Sequence, residues 1–199
     1  MIGSAGAPGL PAVDRLAAAN ATAPRSVRGH GRTDAAATLR ALADHAEGYH
    51  DEVRAWDFYG ADGPVGYLES AVAALLGKPS AAFFPSGVMA QQVMLRIWCE
   101  RAGTKRVALP ELSHVLLHEE DGPRILHDLD IVLHTRGATV CRVADIDAVP
   151  DPLAAVLIEL PLRDGGYLLP TWPELVAVSE RCRERGIPLH VDGARLWES

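Results

Sequence analysis

The chain has 199 residues, 48% of them hydrophobic but only 6% aromatic, and a formal net charge of -7. That length suffices for one sizeable α/β core or one large domain of a longer protein, and the aliphatic bias suits a parallel sheet. The acidic balance excludes a nucleic-acid backbone or an anionic membrane surface as the expected partner, and no stretch approaches the length of a membrane span.

Residues 1–30 are rich in Ala, Gly and Pro without a period and read as a flexible leader, with one domain expected over 31–199. The start lacks the basic-then-apolar pattern of a signal peptide, so the sequon Asn20-Ala-Thr22 has no secretory context. A first helix is expected over 34–47, capped by Thr33, with Leu39, Leu42 and Ala46 on one face and Gly48 at its end. The loop Trp56–Gly63 sets aromatic residues among Gly and Asp, either packed on the body or lining a site. Pro64 opens a second helix with a stripe of Val65, Leu68, Val72 and Leu75, and Gly77 closes it.

Ser80–Phe84 reads as a short strand, followed by the turn Pro85-Ser-Gly87 and a helix over 88–101 with Met89, Val93 and Ile97 inward. A helix start after Ser-Gly suits an anion, because free N–H groups and the helix dipole meet there, although Ser86 also serves as an ordinary cap. Lys105–Leu109 is a strand, and a helix is expected over 111–120. His114 and His118 lie four apart on it beside Glu119. The order is not that of a zinc helix and no third ligand is evident, which leaves ring stacking on a planar ligand or a plain surface histidine for His114.

Ile131–His134 and Thr139–Val143 are expected strands, with Asp145 capping a brief helix. Ala154–Leu160 is a buried strand with Glu159 near its end. Thr171-Trp-Pro-Glu174 is a capping box, and Leu175, Val178 and Cys182 face inward on its helix. A last strand, Ile187–Val191, runs into Asp192, with Arg195 three residues on. Two readings stand for this pair: a structural ion pair, or a carboxylate that holds a protonated ring nitrogen. Cys99, Cys141 and Cys182 have no metal or redox spacing and read as reduced thiols of a cytoplasmic protein. Strands alternating with helices predict a three-layer α/β/α fold with a mostly parallel sheet.

Four segments together resemble the threonine aldolase and aromatic amino acid β-eliminating lyase family of pyridoxal-phosphate enzymes. They are Asp57-Phe-Tyr-Gly60, Phe84-Pro-Ser-Gly-Val-Met-Ala-Gln-Gln92, Ser113-His114 with Glu119, and His190-Val-Asp-Gly-Ala-Arg-Leu-Trp197. The resemblance implies the N-terminal portion of a fold-type-I large domain, incomplete at its C-terminus. It implies pyridoxal 5'-phosphate as cofactor, cradled by Ser86, Gly87 and Val88, stacked by His114, paired at its ring nitrogen with Asp192 and approached by Arg195. It also implies cleavage of a β-hydroxy amino acid to glycine and an aldehyde, with His114, Glu119 or a water as base, in a homo-oligomer. Other fold-type-I chemistry, of transaminase or desulfurase type, and a non-catalytic remnant are the alternatives.

The chain departs from the family at four places. Val88 replaces a Thr of the phosphate turn, and Leu160-Pro-Leu162 replaces a polar Asn-Thr-His run. Arg32-Thr-Asp34 is the nearest match to the family's opening Arg-Ser-Asp-Thr segment. The family's Schiff-base lysine lies downstream of Asp-Gly-Ala-Arg, whereas the lysines here are Lys78 and Lys105, so the 199 residues are expected to be inactive alone.

Overall fold

The computed structural model describes residues 34–48, 59–60 and 63–198. The leader, the Thr33 cap, Arg32 and most of the Trp56–Gly63 loop lie outside the described residues. The chain divides into two units, Met1–Phe83 and Phe84–Ser199.

In the first unit, α1 spans Ala35–Glu47 and α2 spans Gly63–Leu75. Asp34 caps α1 rather than lying in it, because its carboxylate accepts from the Ala37 N–H at 2.9 Å. The expected inward faces are largely open: Leu39, Leu42, Leu68 and Leu75 are all exposed, and Ala73 is the buried residue of α2. Ser80–Phe84 forms no strand. A strand needs a neighbour for its peptide groups, and the Phe83 N–H turns instead to the Glu69 carboxylate at 2.7 Å.

The second unit holds α3 (Gly87–Ala102), β1 (Arg106–Pro110), α4 (His114–Leu117), α5 (Gly122–His127) and β2 (Asp130–Thr135). It continues with α6 (Val143–Ala148), β3 (Ala155–Glu159), α7 (Trp172–Glu184), β4 (Leu189–Asp192) and a short 3₁₀ turn at Leu196–Glu198. The four strands pair in parallel in the order β2-β1-β3-β4. Helices between successive strands are what a parallel ladder requires.

Each face of the sheet has its own core. On one, Ile146 and Val149 near α6 and Val178 and Cys182 of α7 pack on Ala108, Val156 and Ile158. On the other, Leu95 and Cys99 of α3 and Val115 of α4 pack on Val107, Leu109 and Leu157. Full burial of each such leucine or valine contributes about 1.5–3 kcal/mol. This is the three-layer arrangement that the alternation predicts.

Three local expectations change. The buried face of α3 is Gln92, Leu95 and Cys99, while Met89 is half exposed. Apolar residues occupy more than one side of this helix, so periodicity alone does not choose the face. The helix expected over 111–120 shrinks to the single turn of α4. Glu111 leaves it to accept from the Gly137 N–H at 2.8 Å, and Glu120 and Asp121 take positive φ just beyond it. Thr139–Val143 is not a strand. Arg142 caps α6, and Asp145 sits at the third helical position, returning a carboxylate oxygen to the Arg142 N–H at 2.8 Å.

Candidate active site

In an open parallel sheet, ligands sit beyond the carboxyl ends of the strands. Here those ends carry Ser113-His114 after β1, Glu159 on β3 and Asp192 on β4. Asp192 is buried, at 6% exposure. Its Oδ1 accepts from the Ala194 N–H at 3.1 Å, and its Oδ2 has no hydrogen-bond partner among the described residues. A carboxylate on a buried residue with one oxygen left this way favours a cationic or N–H-bearing group opposite it.

Glu159 is the register partner of Asp192. It accepts from the His114 N–H at 3.0 Å and from the Arg163 N–H at 3.2 Å. Burial pushes its carboxyl above the ordinary range. The two backbone donors oppose that shift, and the Asp192 and Asp164 charges add to it. Through Glu159 the start of α4 is fixed against the end of β3.

The His114 side chain is 32% exposed, and its Nδ1 lies 3.2 Å from Oε1 of Glu119, whose side chain is wholly buried. The second Glu119 oxygen accepts from Gln92 Nε2 at 2.9 Å. The His118 ring sits 5.1 Å from that of His114, tilted by 42°, and its Nε2 donates to Asp164 at 2.9 Å. Among the described residues no group of three or more His, Cys, Asp or Glu side chains is placed to hold a metal.

Ser86 caps α3 with extended backbone, and its hydroxyl makes no bond to the helix. The first N–H groups of a helix have no partners within it. A Cβ on Gly87 would meet nothing within 4 Å, so the space before these donors is open. Val88 beside them is 37% exposed. One turn on, Gln91 is tied to His190 by a 2.5 Å hydrogen bond between Oε1 and Nε2. An amide oxygen only accepts, so His190 carries its proton on Nε2. Burial holds its pKa below the ordinary value, partly offset by Asp192. This bond anchors the α3 start to the strand that ends at Asp192. The Arg195 guanidinium lies 6.0 Å over the Tyr167 ring, on the loop that follows Arg163.

The structure therefore links the Ser86–Val88 turn to Asp192 through Gln91 and His190, and links His114 to Asp192 through Glu159. An N–H cluster, a half-open flat ring and a buried carboxylate match a phosphate, an aromatic ring and its protonated nitrogen. The residues fit pyridoxal phosphate. Lys105 stands at the start of β1, with its Nζ on the His127 carbonyl at 3.1 Å, at the sheet edge away from these groups. Lys78 follows α2 in the first unit.

Sequence reasoning missed Gln91 and Gln92 as parts of the site and gave Glu159 no role. One signal was available: Gln92 shares a helical face with Leu95 and Cys99, and a polar side chain in a buried stripe needs a partner.

The beta-eliminating lyase family profile matches residues 32–199. A low specificity L-threonine aldolase of Escherichia coli is 31% identical over 149 residues, covering 72% of this chain and 44% of that protein. An aldolase of Penicillium aethiopicum is 34% identical over 142 residues, covering 66% of this chain and 35% of that protein. The solved structure of a candidate L-allo-threonine aldolase from Listeria monocytogenes superposes with a TM-score of 0.79 at 38% identity, covering 92% of this chain and 50% of that one. The chain thus spans half the length of that solved relative. The helix start, the two strand ends and the matched span agree, and the chain belongs to the beta-eliminating lyase family.

Proposed function

We propose that this chain supplies the cofactor-holding part of a pyridoxal-phosphate-dependent lyase that cleaves a β-hydroxy amino acid to glycine and an aldehyde. The observation that carries the reading is Asp192, a buried strand-end carboxylate with one oxygen unpartnered among the described residues. The family is pyridoxal-phosphate dependent. When bound, the protonated pyridine ring supplies the electron sink that cleavage of the Cα–Cβ bond needs.

The rest is done by side chains and backbone of this protein. Asp192 keeps the ring nitrogen protonated. The N–H groups at the start of α3, with the Ser86 hydroxyl, hold the phosphate. Val88 adds no hydroxyl there, so backbone donors carry more of that load. His114 lies against the flat ring. Arg195 takes a carboxylate of the amino acid or the ring hydroxyl. A nitrogen of His114, or a water beside it, takes the proton from the β-hydroxyl. Glu119 has both oxygens engaged and a wholly buried side chain, so it holds His114 in place. Lys105 stands at the opposite sheet edge, and the 199 residues alone are expected not to turn over. Free thiols at Cys99, Cys141 and Cys182 support a cytoplasmic setting, and exposed Leu39 and Leu42 support a homo-oligomer.

The test joins this chain to the second half of the Listeria relative and measures glycine release from threonine. We expect turnover, and Asp192→Ala should lower it ~10²–10³-fold, as removal of one preorganised electrostatic partner does, while the phosphate contacts retain cofactor. An unimpaired Asp192→Ala variant overturns the role of Asp192. A joined protein that binds cofactor but releases no glycine points to another reaction of the same fold.

A further inference from the structure

We infer that Gln92 is a positioning residue that fixes, through Glu119, which nitrogen of His114 faces the reactants. The inference rests on the reading of His114 given above, and it stands on a continuous set of hydrogen bonds that reading does not need.

Four side chains form the line. His127 Nε2 lies 3.1 Å from Gln92 Oε1, Gln92 Nε2 is 2.9 Å from Glu119 Oε2, and Glu119 Oε1 is 3.2 Å from His114 Nδ1. Gln92 is 8% exposed and Glu119 6%, so water does not replace these partners. The donor and acceptor assignment follows from chemistry. A carboxylate only accepts, so the Gln92 group facing Glu119 is its NH₂, and its oxygen therefore faces His127. That oxygen also only accepts, so His127 carries its proton on Nε2. At the other end, Glu119 accepts from His114, whose Nδ1 must carry the proton. In the neutral form of the ring, which has one N–H, Nε2 of His114 is then the bare nitrogen. Among the described residues His114 is the histidine joined both to Glu119 and, through its own N–H, to Glu159, and its side chain is 32% exposed. The free lone pair is the form a proton acceptor needs.

Gly122 completes the arrangement. A Cβ there would come within 3.0 Å of Gln92 Nε2, so the absence of a side chain at the start of α5 leaves the amide room to meet Glu119. Gln92 on α3, Gly122 and His127 on α5, and Glu119 between α4 and α5 thus orient one ring at the end of β1. None of them except His114 reaches the reacting atoms. They act through it.

The measurement is the long-range ¹H–¹⁵N spectrum of histidine side chains in the 199-residue chain, without cofactor. We expect wild-type His114 to show a protonated Nδ1 and a bare Nε2. In Gln92→Leu the Glu119 carboxylate loses its donor, and the two His114 nitrogens should shift toward a mixture of tautomers. Backbone amides of α7 and β4 should stay in place. Gly122→Ala should move His114 in the same direction by less, and it serves where Gln92→Leu does not fold. A wild-type His114 protonated on Nε2 overturns the inference outright, as does a folded Gln92→Leu chain with unchanged His114 nitrogens. Because no turnover is measured, failure here leaves the lyase reading standing, and failure of the lyase reading leaves this result untouched.

Discussion

Glu159 shows how much one strand-end carboxylate can organise. Both of its oxygens are committed to backbone N–H groups, of His114 and Arg163, and it lies beside Asp192 in the ladder. A carboxylate accepts at both ends, whereas an amide accepts at only one. Glu159→Gln should therefore leave one N–H facing an NH₂ group and cost about 1–3 kcal/mol. Its raised pKa carries a second consequence. The native carboxyl holds its proton longer than the unfolded one, so its contribution is fully present in acid and is lost as pH rises through the ordinary carboxylate range to the raised value. Chemical denaturation across that range should show this slope in the wild type and its absence in Glu159→Gln. An identical pH profile in both would contradict the assignment. The sequence placed Glu159 at a strand end but gave it no partner. Both donors are main-chain groups, one of them 45 residues away, and nothing in the order of side chains announces a bond to a distant backbone.

At the scale of elements, β1 ends on Pro110, which has no N–H to give to a neighbouring strand. The buried Leu157 carbonyl on β3 takes its hydrogen bond from His134 Nε2 of β2, at 2.8 Å. A side chain thus reaches across the sheet where the ladder has no backbone donor. His134→Leu keeps the apolar volume but orphans that carbonyl, and should cost about 1–3 kcal/mol. Burial also holds His134 below the ordinary imidazole value, offset by the Leu157 carbonyl and by Asp145, and His190 is lowered in the same way. On acidification the unfolded chain takes up these protons first. Stability from both groups is therefore present above the ordinary imidazole value and is lost as pH falls through it toward the native values. Equilibrium unfolding should show a shallower acid slope in His134→Leu than in the wild type, and an equal slope would contradict this account. The four strands of the sheet and the α7 capping box were legible because apolar runs and Thr-x-x-Glu patterns are local signals, although similar runs at Ser80–Phe84 and Thr139–Val143 form no strand. The α3 face and the short α4 were not. Their outcome depends on Gln92 finding Glu119 and Glu111 finding Gly137, contacts made only after the chain has folded.

For the whole molecule, the parallel order β2-β1-β3-β4 does the positioning. It sets Ser113-His114, Glu159 and Asp192 at one edge of the sheet, and the Gln91–His190 bond brings the α3 start to the same place. The central claim is that the Ser86–Val88 turn, His114 and Asp192 together receive pyridoxal phosphate. Pyridoxine 5'-phosphate tests it most directly, because it keeps the ring and phosphate but has no aldehyde to react with lysine. Titrated into the ¹⁵N-labelled 199-residue chain, it should shift the amides of Gly87, Val88, His114 and Ala194 together along one binding curve. Asp192→Ala should weaken that curve while leaving the Gly87 and Val88 shifts detectable. Shifts confined to the opposite sheet edge around Lys105 and His127, or no saturable shift at the four named amides, would contradict the account.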